Sequence, residues 1–139
     1  SYVSDFIYDS HEIIDGSTLM DTLPSAYGGD KALKIILKDK SFHIFIDLYY
    51  TIYAKTDVIT RRTVVRNEGK TPLTIRRIMG MLIDLPDENF KIFSLSGGWI
   101  KEAHLQEQDL PYGKIVNSSV TGASSNKHNP AFLLAEHDL

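Results

Sequence analysis

Cysteine is absent from this 139-residue sequence, which excludes disulfides, thiolate metal ligands and a cysteine nucleophile. That absence fits a cytoplasmic protein, and cytoplasmic localisation is the expectation. No apolar run reaches the roughly 18 residues a membrane-spanning helix needs, and no basic stretch precedes an apolar one in the manner of a signal peptide. No membrane partner is therefore expected. The net charge is −3, and no basic stripe carries interleaved aromatics, so no nucleic-acid partner is expected either. Histidines are few (His11, His43, His104, His128 and His137), and none stands in an HxH or HExxH pattern. The reading is no metal and no cofactor. Serines lack a Gly-x-Ser-x-Gly context, and Gly97-Gly98 is not followed by the Gly-Lys-[Ser/Thr] of a phosphate loop. Asn117-Ser118-Ser119 matches a glycosylation triplet, one that arises often by chance and stands here without a secretory signal.

What is present is period-2 alternation. From Phe42 to Tyr53 one face reads Phe42, Ile44, Ile46, Leu48, Tyr50 and Ile52, and the other reads His43, Phe45, Asp47, Tyr49, Thr51 and Tyr53. This predicts a long strand with an apolar inner face and a mixed outer face that is also partly covered. Further strands are predicted over residues 5–14, 32–38, 58–67, 73–85, 90–96, 99–106, 114–119 and 132–136. Residues 73–85 are long enough for a helix, but their spacing is 2 and Pro72 precedes them. Asn67-Glu68-Gly69-Lys70 is turn chemistry, with Gly69 available for φ > 0. Many short strands separated by polar turns predict an all-β fold, an antiparallel β-sandwich, with residues 1–139 as a single domain.

Catalysis by paired carboxylates requires two of them a few ångströms apart. Asp47, Asp57, Asp84, Asp87, Glu102 and Glu107 are scattered along the chain and read as surface or turn residues, so no catalytic residue is assigned. His128-Asn129-Pro130 offers donors and acceptors suited to a sugar hydroxyl, and equally reads as an Asn-Pro turn beside a structural histidine. The polar stretch 117–130 reads as a flexible loop or as an ordered loop at a binding edge. Trp99, the single tryptophan, could stack on a sugar face; its chemistry favours a core or a domain interface. Trp99, His128 and Asn129 are the candidate substrate-binding residues. Gly97-Gly98 is expected to be a bend or bulge, where glycine admits φ > 0 and close backbone approach, with Trp99 opening the next strand. Arg61-Arg62 and Arg76-Arg77 are expected on neighbouring strands of a hairpin, in a structural role.

Several blocks, in order, resemble glycoside hydrolase family 36, the α-galactosidases. They are Ser4 to Tyr8 with Ser10 to Gly16, Leu23-Pro24, Asp57 to Arg61, Asn67 to Leu73, Leu85-Pro86-Asp87, Leu95 to Trp99 and Ser124 to Pro130. The resemblance implies part of an N-terminal, galactose-mutarotase-like β-supersandwich, with further strands before and after this chain. It implies a parent enzyme whose (β/α)₈ barrel releases terminal α-linked galactose from melibiose, raffinose and related sugars with retention. One Asp would be nucleophile and another acid/base. The motifs of those two residues do not occur in this chain, so the barrel is expected to lie outside it. The implied role is scaffold and oligomer assembly. The implied partners are galactosides through the parent enzyme, its catalytic barrel, and further copies in a homo-oligomer. A stand-alone carbohydrate-binding module is the alternative, and an aldose epimerase of supersandwich type is a third reading, since fold does not fix function. Unpaired strand edges would favour self-association.

Overall fold

The computed structural model describes residues 5–20, 22–85, 89–120 and 127–136. Ser4, Pro86, Asp87, Ser124, Ser125, Asn126 and His137, which figure in the sequence reading, lie outside the described residues. Every regular element among the described residues is a strand: β1 Phe6–Asp15, β2 Lys31–Asp39, β3 Ile44–Tyr53, β4 Val58–Asn67, β5 Phe90–Gly98, β6 Lys101–Asp109 and β7 His128–Glu136. All pairings are antiparallel. The all-β, antiparallel fold expected from the alternation is the fold observed. The chain divides into two compact units, Ser1–Leu82 and Ile83–Leu139.

In the first unit β1-β2-β3-β4 form a four-stranded meander. Its two central strands are rich in Ile, Leu and Tyr, which suit a pleated surface flanked on both edges. The β2–β3 turn is set by Asp39, whose carboxylate accepts from the amides of Ser41 and Phe42 at 2.8 and 2.9 Å. β3 begins at Ile44, two residues later than the alternation predicts, with His43 O still accepting the Glu68 amide at 2.8 Å beyond its end.

The faces of β3 are occupied in a way the alternation does not convey. Among the described residues the fully buried positions are Ala32, Asp47 and Thr51, at 1%, 2% and 4% exposure. Ala32 lies opposite Thr51 and Asp47 opposite Ile36 and Val64, so all three share the mixed face. The apolar face is half-buried, and Ile52 on it is exposed. Two local causes close the mixed face. At one end Gly29 lies against Thr51 so closely that a Cβ on it would stand 2.4 Å from the Thr51 methyl. Further along, Asp47 accepts from Arg66 Nε at 2.9 Å and Nη2 at 3.1 Å, and Lys34 Nζ lies 3.7 Å away. A buried carboxylate must be compensated in this way. The cations in turn cover aromatic rings: Arg66 over Phe45 at 4.8 Å, Arg62 over Tyr49 at 4.2 Å, and Lys34 over Tyr49 at 5.7 Å. The hydrogen bond it donates to Asp47 pushes the Arg66 guanidinium above its ordinary pKa. On the opposite face Arg61 sits over Tyr50 at 5.6 Å.

Two predicted strands do not form. Residues 73–85 and 114–119 are irregular. Alternation makes a segment fit for a sheet, but a strand exists only where a neighbouring strand completes its ladder, and among the described residues none does so here. The hairpin that would place Arg76 and Arg77 beside Arg61 and Arg62 is therefore absent. Gly69 is not left-handed; the turn after β4 is made by Asn67, whose side-chain oxygen accepts the Gly69 amide at 3.1 Å and whose amide donates to Thr71 O at 2.9 Å.

The second unit is a three-stranded sheet in the order β6-β5-β7. One face carries Phe93, Leu95, Leu105 and Leu133, with Lys91 and Glu107 paired at 2.9 Å beside them. The other carries Ile92, Ser94, Gln108, Phe132 and Leu134.

Asp47→Asn keeps the shape of the buried side chain and removes the anion that Arg66 and Lys34 share. The expected loss is roughly 3 kcal/mol of folding stability, read as a lower urea midpoint at unchanged slope. A midpoint equal to that of the parent sequence would show that the pair contributes nothing net.

Candidate functional site

The face of the second sheet that carries Ser94 and Phe132 is roofed by the segment after β6, which returns over it once the Leu110 amide has bonded to Phe90 O at 2.9 Å. A cavity of 680 Å³ lies between sheet and segment. Its apolar floor is Ile92, Phe132 and Leu134, and its polar rim is Ser94, Gln108, Asn117, Ser118, His128 and Asn129.

β7 reaches this rim because its register slips. Ser94 pairs with Phe132 but Ser96 pairs with His128, so β7 accommodates two more residues than β5 across the same step. Pro130 sits inside that bulge, where its missing amide leaves no ladder bond unmade. The polar pair His128-Asn129 is thereby carried to the cavity wall, and the Gly97 amide bonds to Lys127 O at 2.9 Å just before it.

Trp99 is elsewhere. Gly98 pairs with Lys101, which makes Trp99 and Ile100 the two-residue turn between β5 and β6. Trp99 therefore does not open the next strand, and at 84% exposure it fills no interior of this chain. Of the two freedoms that glycine offers here, the left-handed one is not used by Gly97 or Gly98. The positive-φ residues here are Ile100 at 65° and Ala103 at 60°. Gly97 serves the close backbone approach that the sequence reading also expected of a glycine there: a Cβ on it would fall 1.9 Å from Lys101 O, backbone against backbone. The Ile100 amide is satisfied by the Glu102 carboxylate at 2.9 Å, and the extra residue on β6 between Lys101 and His104 is the bulge that the glycine pair foretold.

Of the three candidate residues, the structure places His128 and Asn129 on one wall and leaves Trp99 off it. Asn117 and Ser118 join them, from the polar stretch read as either a flexible loop or an ordered loop at a binding edge. Ser94 and Gln108 carry no motif; only the register of β5 and β6 shows that both point to this face. Amides, hydroxyls and an imidazole above an apolar floor can hold a polyol by hydrogen bonds and by contact with its C–H face. Among the described residues the lining holds no carboxylate, and no three His, Asp or Glu side chains are grouped as metal ligands would be.

Strands in antiparallel sheets, the only regular elements among the described residues, define an all-β fold. The chain belongs to glycoside hydrolase family 36: the model of the family's N-terminal domain matches residues 1–139. It is 36% identical over 135 residues to alpha-galactosidase 2 of Hypocrea jecorina, covering 95% of this chain and 18% of that one. It is 32% identical to alpha-galactosidase Mel36A of Lactobacillus acidophilus, covering 94% and 18%. Among solved structures it resembles the family 36 α-galactosidase AgaA of Geobacillus stearothermophilus with a TM-score of 0.93 and 31% identity, over 99% of this chain and 20% of AgaA. The chain thus spans about a fifth of the length of these relatives. It is the N-terminal domain, or part of it, of the α-galactosidase architecture.

Gly97→Ala is expected to destabilise the chain by about 1–3 kcal/mol, because backbone must move to admit the methyl. Thermal unfolding followed by circular dichroism reads this directly, and an unchanged melting temperature would show that the turn has room to spare.

Proposed function

We propose that this chain is a non-catalytic part of an α-galactosidase, serving as scaffold and assembly surface for a catalytic barrel outside these residues. The observation that carries the reading is the family match along the whole chain combined with a span of only 18% of a curated relative's length. The cavity wall supports it, since its described residues present no carboxylate pair with which to protonate and attack a glycosidic bond. On this reading the parent enzyme cleaves terminal α-galactosides such as melibiose and raffinose with retention, in the cytoplasm and as a homo-oligomer. Variants of the similar AgaA have been solved with raffinose and with stachyose, which accords with that substrate class. The epimerase reading needs a histidine and a glutamate facing one sugar, and among the described residues no glutamate lines the wall that holds His128.

The chain by itself is expected to release no chromophore from an aryl α-galactoside above the blank. Turnover that disappears on replacing one acidic residue would overturn the proposal.

A second reading, carbohydrate binding by this domain itself, is favoured by the grouping of His128, Asn129 and Asn117 on one cavity. Binding at millimolar galactose or raffinose would supply only about 4 kcal/mol. It should shift the NMR signals of those residues, leave the Trp99 indole unmoved, and be lost in Asn129→Leu. Shifts confined to Trp99 would place the sugar at the hairpin tip and remove the cavity from consideration.

A further inference from the structure

The second sheet sorts its side chains by chemistry. On β6, Glu107 and Asp109 lie opposite Phe93 and Lys91, on the face that also holds Leu95, Leu105 and Leu133. Gln108, Gln106 and His104 take the other face, opposite Ile92, Ser94 and Ser96 of β5. From the far side β7 sets Phe132 against Ser94 and His128 against Ser96. These cross-strand rows contain no Asp, Glu, Lys or Arg, and the first charge on this face is Glu136, one row further along, opposite Phe90.

An antiparallel sheet covers its more apolar face and leaves the other to solvent. By that criterion the face of Phe93 and Leu95 is the covered one, and the face of Gln106 is the outer one. A solvent face ordinarily includes charges. Here amides, hydroxyls and imidazoles stand in their place, and Phe132 rises among them at 60% exposure. Groups that both donate and accept, set around an exposed ring, suit a neutral polyol: its hydroxyls bond the side chains and its C–H face lies on the ring. An anionic sugar would lose water from its charge and find no cation here. The cavity takes in the β7 side of the face, while Ser96, His104 and Gln106 carry the same chemistry past its rim to β6. That adds about one strand spacing, roughly 5 Å, which is room for a further sugar ring.

We propose that this face is a non-catalytic site for a neutral oligosaccharide, with one ring in the cavity beside His128 and Asn129 and the next over Ser96, His104 and Gln106. The proposal rests on the carbohydrate-binding reading and adds two properties to it. Affinity rises with chain length, because the second ring gains hydrogen bonds that a monosaccharide cannot reach. Charge is discriminated against, because every group on the surface is neutral or an imidazole.

Saturation-transfer difference NMR tests this on the full-length polypeptide that carries this chain, with galactose, raffinose, stachyose and galacturonate titrated in turn. 1-Deoxygalactonojirimycin, a ligand found in complex with an AgaA variant, is kept in excess so that a catalytic site does not contribute. The apparent Kd is expected to fall roughly tenfold from galactose to stachyose, and galacturonate is expected to give no transfer where galactose does. Gln106→Leu and His104→Ala, both at exposed positions, are expected to return stachyose to the Kd of galactose. Asn129→Leu is expected to abolish transfer to both. Equal affinity for galactose and stachyose in the parent sequence confines the sugar to the cavity, which overturns the extended site and leaves the carbohydrate-binding reading standing. A length advantage that survives Gln106→Leu and His104→Ala also overturns it, and galacturonate bound as well as galactose overturns the selectivity. No transfer to any sugar overturns the carbohydrate-binding reading itself.

Discussion

The four-stranded sheet is organised around one buried carboxylate. Asp47 stands at the middle of β3, on a face where water cannot solvate it, and two cations from the flanking strands answer its charge. That requirement dictates more than one contact. Arg66 must reach diagonally from β4 and Lys34 diagonally from β2, which ties the register of three strands to a single anion. A slip of one residue in either pairing would turn the cation to the other face and leave Asp47 uncompensated. The aromatic rings of Phe45 and Tyr49 then serve as beds for the stems and guanidinium planes that the charge has drawn in.

The second sheet has no comparable charge at its centre, and its organisation comes from irregularities. A bulge at Pro130 brings His128 and Asn129 to a cavity, and a bulge on β6 with a tight turn thrusts Trp99 and Ile100 into solvent. Both devices begin at residues with backbone peculiarities: a proline that cannot donate and a glycine that leaves space for a carbonyl. The polar chemistry of the domain and its exposed indole are thereby separated, although the sequence reading grouped them.

Most of the strands were legible in the alternation, because a period of 2 is imposed by the pleat itself. What alternation could not convey is which face is closed. For β3 the apolar side was expected inside, yet the buried positions are Asp47 and Thr51, since burial is decided by what lies opposite: Gly29 over Thr51, cations around Asp47. Nor could alternation distinguish a strand from a segment fit to be one, as residues 73–85 show. At the cavity, His128, Asn129 and the stretch from Asn117 were visible as polar chemistry, while Ser94 and Gln108 carried no motif and became part of the rim through register alone.

By itself the sequence determined the all-β class, the positions of the main strands and, through ordered blocks such as Leu95 to Trp99 and Asn67 to Leu73, membership of family 36. These follow from local periodicity and from residue identities, which survive without knowledge of any neighbour. Only the tertiary structure decided the burial of Asp47, the left-handed Ile100 in place of a glycine, the exposure of Trp99 and its separation from His128 and Asn129. Each of those depends on which strand lies beside which and by how many residues the pairing is offset, a relation between segments distant in the chain.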